Sequence, residues 1–253
     1  MNYHWHWAIL FEAAPDASGT YLKYLLVGLE WTLATALAAW VIALVIGSVV
    51  GTLRTTTVRW VVVLGNAYVE IFRNIPLIVQ MFIWFFVLPE LLPKGIGDAV
   101  KQMPPPWGSY VPAVLCLGIY TSVRVAEQVR AGIQSLPGGQ NLAGTALGLS
   151  RTQTYRYILL PVAFRILLPP LTSEFMNIIK NSSVALTIGL MELTGRARAM
   201  QEFSFQVFEA FAVATLIYLI TNFVVVIGMR RLESRMAVPG FMGAARELPL
   251  PEH

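Results

Sequence analysis

The sequence predicts an all-α integral membrane protein with about five transmembrane helices, and two observations support this fold class. Charged residues make up 13% of the 253 residues, hydrophobic residues make up 56%, and the mean hydropathy is +0.63. A soluble globular domain contains about 25% charged residues. Several apolar runs also reach the ~20 residues that a helix needs to cross the hydrocarbon layer. Since we find no internal repeat, we expect residues 1–253 to form a single transmembrane domain.

The apolar runs give the spans in chain order. The first span is predicted at residues 24–53. For the second, residues 59–73 are predicted to form an interfacial elbow and residues 74–91 the crossing itself. Pro76 would then lie in the first helical turn, where its missing N–H does little harm. The remaining three spans are predicted at residues 111–133, 166–190 and 208–229.

The basic residues predict the orientation, because lysine and arginine concentrate on the cytoplasmic side of a membrane protein. With the N-terminus outside, the inner side holds Arg54, Arg59, Arg73, Arg130, Arg151, Arg156, Arg165, Arg230, Arg231, Arg235 and Arg246. The outer side holds Lys23, Lys94, Lys101, Arg196 and Arg198. Residues 1–23 are therefore predicted to be periplasmic, whereas the loop 135–165, here called the inner loop, and the tail 230–253 are predicted to be cytoplasmic. This bias explains the net charge of +4 without a nucleic-acid partner.

The sequence gives little support for an enzyme or a metal site. It contains no G-x-x-x-x-G-K-[ST] phosphate loop and no pattern typical of a catalytic triad or carboxylate pair. His4 and His6 stand two residues apart among aromatic residues, without a carboxylate or cysteine cluster. They are better interpreted as part of an aromatic belt at the membrane surface. We therefore expect no metal and no cofactor on this chain.

A polar stretch, NLAGTALGLSRTQTYRYILLP at residues 141–161, interrupts the apolar pattern. Residues 140–147 are predicted to form a short helix that Gly148 ends, because glycine tolerates the left-handed conformation common at helix C-termini. Ser150 and Gln153 have the spacing of a capping box that starts a second helix, and Pro161 is predicted to stop it. Two short helices that meet at a bend have a shape that fits into a groove on another protein. A simple linker packed on its own bundle remains the alternative.

These residues resemble the cytoplasmic signature of type I ABC importer permeases: EAA, three residues, Gly, nine residues, Ile, one residue, Leu-Pro. Gly148, Ile158, Leu160 and Pro161 match the later positions and Ala143 the middle letter of EAA, whereas Leu142 replaces the Glu and Gly144 the second Ala. The runs TSVRVAEQVRAGIQSLPGGQ and LPPLTSEFMNIIKNSS are similar to permease subunits of glutamate/aspartate importers, within the polar amino acid branch.

The resemblance implies a transport subunit of the bacterial inner membrane, embedded in the lipid bilayer, with no ATPase of its own. Its implied partners are a second permease subunit, identical or homologous, two cytoplasmic ATPase subunits that bind ATP, and a periplasmic amino-acid-binding protein. The residues expected to couple to the ATPase are Ala143, Gly148, Ser150, Arg151, Gln153, Tyr155, Arg156, Ile158 and Pro161.

Polar residues within the predicted spans indicate a substrate path, because ionisable groups in a membrane are costly and mark pathways or paired sites. On the third span, Arg124 and Gln128 share one face, with Thr121 just above. On the fourth, Glu174, Asn177 and Asn181 share a face, and Lys180 lies beside them. The polar run at residues 181–183 is expected to loosen the helix, as in the interrupted helices of transporters.

Arg124 has two interpretations that the sequence leaves open. Its guanidinium could bind a substrate carboxylate bidentately, which suits an importer of acidic amino acids. Alternatively, it could form an ion pair with Glu127, and Glu174 could pair with Lys180 or Arg165. The function predicted is an ATP-driven importer permease for acidic amino acids. The alternatives are a permease for another polar amino acid, a stand-alone secondary transporter and a membrane-embedded enzyme. The sequence contains no inverted repeat, which argues against a stand-alone secondary transporter.

Overall fold

The computed structural model describes residues 3–16 and 19–236, which form helices joined by short turns. The tail beyond residue 236, with Arg246, lies outside the described residues. The α-helices are α1 (Tyr21–Leu53), α2 (Arg59–Asn74), α3 (Leu77–Phe82), α4 (Leu88–Leu91), α5 (Lys94–Lys101), α6 (Trp107–Gln134), α7 (Gly138–Ala146), α8 (Arg151–Thr154), α9 (Leu160–Asn181), α10 (Leu193–Ser204) and α11 (Val207–Met236). Trp7–Phe11 and Ser182–Ile188 are 3₁₀-helical, and Ile83–Val87 and Tyr155–Leu159 are π-helical.

Four helical segments are long and apolar enough to span a membrane: α1, α6, the continuous segment Arg151–Ile188, and α11. A fifth is formed by Arg59–Asn74 and Leu77–Leu91, which meet at an angle of 101°. The prediction of about five spans, one of them preceded by an elbow, agrees with this architecture. Pro76 precedes α3 as its cap rather than lying in its first turn. The bend lies there because the residue before a proline is forced into an extended conformation, as Ile75 is.

The prediction that the helix stops at Pro161 is wrong. The chain remains helical from Arg151 to Ile188, over 38 residues. A π-helical turn makes this possible: the N–H of Leu160 bonds to the carbonyl of Tyr155, five residues earlier. The wider turn lets Pro161, which has no N–H to donate, enter the first turn of α9. The second helix of the inner loop and the fourth span are therefore one continuous helix.

The expected loosening of the fourth span at residues 181–183 is also not observed. The backbone tightens there into the 3₁₀ helix Ser182–Ile188, which ends at Gly189 with φ of +85°. The hydroxyl of Ser182 donates to the carbonyl of Ile179 at 2.7 Å, and that of Ser183 to Lys180 at 2.7 Å. The polar run thus bonds to its own helix, as serine hydroxyls do when helices lie in an apolar environment.

Small residues hold α1 close to α6. The buried face of α1 carries Gly28, Thr32, Thr35, Ala36, Ala39, Ala43, Gly47 and Gly51. A Cβ on Gly47 would lie 2.6 Å from the Cβ of Val125 on α6, so only glycine fits. Helices in membranes associate through such close backbone packing. The opposite face exposes large apolar side chains such as Val41 and Val45, as a lipid-facing surface requires.

A buried carboxylate that the sequence analysis did not single out joins α1, α10 and α11. Glu192, fully buried, caps α10 by accepting from the N–H groups of Thr194 (3.0 Å) and Gly195 (2.8 Å). It also accepts from the hydroxyls of Thr32 at 3.3 Å and Tyr218 at 2.9 Å. Burial raises the pKa of the Glu192 carboxyl, but the four donors satisfy it. Pattern alone could not identify it, since its partners are up to 160 residues away.

The N-terminal segment is attached to the start of α11. Glu209 accepts hydrogen bonds from the hydroxyl of Tyr3 and, at 2.7 Å, from the N–H of His6. Next to it, the ring of Trp5 stacks on that of Trp7 with centroids 5.5 Å apart. Both tryptophans are exposed. The location of these rings at a membrane surface stays a prediction.

Candidate functional site

Arg124 and Glu174 face each other between α6 and α9. The Nη1 of Arg124 lies 3.7 Å from the Oε2 of Glu174. Arg124 donates from Nη2 to the hydroxyl of Tyr120 at 3.1 Å, and its guanidinium carbon lies 5.2 Å from the centroid of that ring. The side chain of Arg124 is 44% exposed and that of Glu174 only 12%. Two helices thus present one cation and one anion together, part of the way along their spans.

Neither charge of this pair is saturated within the described chain. A separation of 3.7 Å is too long for a hydrogen bond. The Oε2 of Glu174 is buried and accepts no hydrogen bond from the described residues. A guanidinium offers five donor hydrogens, of which Arg124 directs one to Tyr120. The site can therefore donate to a carboxylate and accept from an ammonium without first breaking a hydrogen bond between the two side chains.

The alternative partners predicted for Arg124 and Glu174 are wrong. Glu127 is held instead by Arg54, with Nη2 to Oε1 at 2.9 Å, and by Arg130, with Nη2 to Oε2 at 3.1 Å. Among the described residues, Glu174 has no ion pair with Lys180 or Arg165. Helical geometry explains this, because Arg165 lies about 180° and Lys180 about 120° around α9 from Glu174. The pairing of Arg124 with Glu174 could not be predicted from the sequence, because it joins two different helices.

The structure gives less support to the other residues that were predicted to line a substrate path. Thr121 is 2% exposed, so it lies in the protein interior, whereas Arg124 lies on an open face. The remaining four are all at least partly exposed: Gln128, Asn177, Lys180 and Asn181. No hydrogen bond or ion pair joins these side chains to the Arg124–Glu174 pair in the described chain. Their role in a path stays a prediction.

The inner loop has the bent shape that the sequence predicted. Gly148 has φ of +71° and ends α7: its N–H bonds to the carbonyl of Thr145, and the N–H of Leu149 bonds to that of Gly144. This is a Schellman C-cap, which requires the left-handed conformation. The capping box is also present. The N–H of Gln153 bonds to the Oγ of Ser150 at 3.3 Å, and the N–H of Ser150 to the Oε1 of Gln153 at 2.8 Å.

Gly144, which replaces an alanine of the family signature, lies where α7 meets α8. A Cβ on Gly144 would lie 2.8 Å from both Cγ2 and Oγ1 of Thr154. Thr154 thus occupies the space that an alanine methyl would need. Leu142, which replaces the glutamate, is 72% exposed, and Leu147 is 75% exposed. Residues 135–150 contain no charged side chain, so α7 presents an uncharged and partly apolar surface.

Two residues predicted to couple to a partner also contact this chain itself. The hydroxyl of Tyr155 donates to the carbonyl of Thr55 at 3.0 Å, and the Nη1 of Arg151 donates to the Oγ1 of Thr57 at 2.6 Å. Thr55 and Thr57 belong to the turn after α1. These two threonines could not be predicted, since no local sequence pattern relates them to the loop. Ile158 is half-buried, and the other predicted coupling residues are exposed: Ala143, Gly148, Ser150, Gln153, Arg156 and Pro161.

Comparison with known families and proteins identifies relatives over nearly the full length. Residues 43–238 match the model of the family described as binding-protein-dependent transport system inner membrane component. The glutamate/aspartate import permease protein GltJ of Escherichia coli (strain K12) is 45% identical, covering 96% of this chain and 99% of that protein. The glutamine transport system permease protein GlnP of the same organism is 32% identical, covering 92% of this chain and 98% of that protein.

A solved structure supports the same relationship. The crystal structure of an amino acid ABC transporter with histidines matches with a TM-score of 0.72 and 27% sequence identity. The match covers 85% of this chain and 95% of that chain. The arrangement of helices described above is thus that of an ABC transporter permease.

Proposed function

Since the chain belongs to the family of binding-protein-dependent transport system inner membrane components, we propose that it is the permease subunit of an ATP-driven importer for acidic amino acids. The observation that carries the substrate class is Arg124, a permanent cation with unused donors on an open face of a span. An importer of basic amino acids would repel its cargo at this position. The name of the relative that is 45% identical, a glutamate/aspartate import permease, supports the same class.

Arg124 and Glu174 divide the recognition of the amino acid between them. Arg124 binds the side-chain carboxylate, because its planar fork can donate two parallel hydrogen bonds to it. Glu174 is the counter-ion of the empty site. When a substrate arrives, its carboxylate takes over Arg124, and the Oε2 of Glu174 becomes free to accept the α-ammonium group. The 3.7 Å separation supports this exchange, since no hydrogen bond between the two side chains has to break before the substrate binds.

A second permease subunit covers the face that carries Arg124. A charged side chain exposed to lipid near the centre of a span costs about 2.5–3.5 kcal/mol on the insertion scale. Arg124 is 44% exposed in the single chain, and Lys180 is exposed on α9. This face therefore borders a water-filled path between two permease subunits, identical or homologous. Charges in transporters that face such cavities escape the cost of lipid exposure.

The inner loop docks one of two cytoplasmic ATPase subunits, while a periplasmic binding protein delivers the amino acid on the other side. The docking surface is α7 with the turn that follows it. Exposed Leu142 and Leu147 supply an apolar contact in place of the acidic residue of the family signature. Apolar side chains in the buried centre of an interface exclude water and carry much of its binding energy. The N-terminus lies in the periplasm, and the residues from 230 onward lie in the cytoplasm of a bacterial cell, as the distribution of arginines supports.

The direct test of this function is uptake by the purified complex, with its ATPase subunits and binding protein, in proteoliposomes. ATP is supplied on the side of the vesicle membrane that the ATPase subunits face. We expect labelled glutamate and aspartate to accumulate only with ATP hydrolysis, and unlabelled glutamine or arginine to compete weakly. Equal competition by glutamine would favour the alternative of another polar amino acid. Uptake without an ATPase subunit would contradict the importer assignment.

A further inference from the structure

The turn between α1 and α2, residues 54–58, lies against the start of α8 and is fastened to it by polar contacts. The hydroxyl of Tyr155 is within hydrogen-bond distance of two atoms of Thr55, the carbonyl oxygen at 3.0 Å and the Oγ1 at 3.1 Å. Arg151 donates to the Oγ1 of Thr57 at 2.6 Å. These contacts bridge about 100 residues of sequence, so they join two parts of the chain that helix continuity does not connect.

Residues of both parts also line an open pocket beside these contacts, with a volume of about 570 Å³. Its lining includes Thr55, Thr56 and Thr57 of the turn and Thr152 and Thr154 of α8. An open pocket next to the hydrogen-bonded junction leaves room for the two parts to shift while the hydrogen bonds hold them together.

On its other side the turn is connected to the helix that carries Arg124. Arg54, the first residue of the turn, is only 6% exposed at its side chain and bonds Glu127 on α6 at 2.9 Å. Its Nε donates to the Oδ1 of Asn66 on α2 at 2.8 Å. Glu127 follows Arg124 by three residues, less than one helical turn. The inner loop is thus connected through Tyr155, Thr55 and Arg54 to Glu127, which lies on the same helix as Arg124.

We propose that Tyr155 and Arg151 form a clasp on the α1–α2 turn through which the inner loop moves α1 and α6 together with α9. This inference rests on the proposed function, in which the loop docks an ATPase. The continuous helix from Arg151 to Ile188 transmits motion to Glu174. The clasp transmits it to the opposite wall of the site, so that Arg124 and Glu174 move in a coordinated way. Tyr155 and Arg151 are therefore positioning residues rather than contacts of the substrate or of the ATPase alone.

The test removes the clasp and measures the amount of amino acid transported per ATP hydrolysed in proteoliposomes. Tyr155→Phe deletes only the hydroxyl. A net hydrogen bond of about 0.5–1.5 kcal/mol corresponds to roughly a 2- to 10-fold effect. We expect that loss in transport per ATP, with an unchanged amount of assembled complex and an unchanged ATPase rate. The matched control is Tyr157→Phe, an exposed tyrosine two residues away, which should retain the wild-type ratio.

A double-mutant cycle of Tyr155→Phe with Thr55→Val tests whether the effect passes through the contact. Thr55→Val removes only the Oγ1 contact and keeps the carbonyl that accepts from Tyr155, so this single variant should lose less than Tyr155→Phe. Because Tyr155→Phe already removes both contacts, the double variant should lose little more than Tyr155→Phe. Additive losses, a wild-type ratio in Tyr155→Phe, or loss of ATPase copurification from Tyr155→Phe would each overturn the clasp. The wild-type complex in the same assay reports on the proposed function separately, since its failure to couple uptake to ATP would contradict the importer itself.

Discussion

At the scale of residues, the carboxylates of Glu127 on α6 and Glu174 on α9 differ in the cations that neutralise them. Glu127 accepts from two arginines at hydrogen-bond distance, and one of these, Arg54, is almost fully buried. Among the residues that the structure describes, Glu174 faces a single guanidinium at 3.7 Å and keeps a buried oxygen without a donor. The first arrangement holds helices together, because a buried cation left without its partner costs several kcal/mol. The second leaves capacity for a ligand.

These roles predict different defects for the same chemical change. Glu174→Gln should raise the concentration of glutamate needed for half-maximal uptake about 10- to 100-fold, because a charge-assisted bond to the ammonium group contributes about 1.5–3 kcal/mol. The same factor should apply to any residual glutamine uptake, since both substrates carry that ammonium. Glu127→Gln is the matched control and should lower the amount of assembled complex instead. Similar assembly defects in both variants would show that Glu174 is only structural.

At the scale of elements, the inner loop shows what a sequence can and cannot predict. The C-cap at Gly148 and the capping box at Ser150 were predicted and are confirmed, since each depends on residues at most three or four apart. The stop at Pro161 was wrong because a π-helical turn, which has no clear sequence signal, accommodates the proline. The Arg124–Glu174 pair was missed because no local pattern specifies which helices become neighbours.

The bend at Gly148 is testable because its backbone conformation, rather than its surroundings, excludes other residues. Apart from the neighbouring residues in the chain, no atom of the described part of the protein lies within 4 Å of a Cβ built there, so a Cβ meets no steric obstacle. The φ of +71° should nevertheless cost a β-branched residue about 1–3 kcal/mol. We expect Gly148→Val to reduce ATPase copurification and uptake while the spans still insert.

The control for the bend is Gly148→Asn, because asparagine tolerates the left-handed region better than other non-glycine residues. It should retain most of the uptake and ATPase binding. If valine and asparagine at this position behave alike, the left-handed bend does not shape the docking surface.

At the scale of the whole molecule, one continuous helix, Arg151–Ile188, begins in the inner loop and carries Glu174 part of the way along its length. Composition, span lengths and the elbow before the second span could be predicted, since each follows from the length and polarity of local segments. The small residues of α1 do not show which helix packs against them, so the contact between α1 and α6 could not be predicted from the pattern alone. In the proposed function, this helix is the direct route from the ATPase docking surface to the proposed substrate site.

The orientation of this architecture is predicted with the N-terminus outside and the inner loop in the cytoplasm. In a Cys116→Ser background, a cysteine at the exposed Ser150 should resist a membrane-impermeant thiol reagent in intact spheroplasts and react after permeabilisation. A cysteine at the exposed Phe11, in the N-terminal segment, should show the reverse accessibility by reacting before permeabilisation. Labelling of Ser150→Cys in sealed cells would contradict the orientation.

The central claim, that Arg124 reads the acidic side chain of the substrate, is tested most directly by the ratio of glutamate to glutamine uptake in reconstituted Arg124→Gln. The variant should lower glutamate uptake efficiency about 10- to 100-fold with little change in the amount of assembled complex. Its glutamine uptake should change much less, so the ratio should approach one. Arg124→Lys should restore the preference only partly, because an ammonium lacks the planar fork. An Arg124→Gln complex that still prefers glutamate as strongly as the wild type would contradict the account.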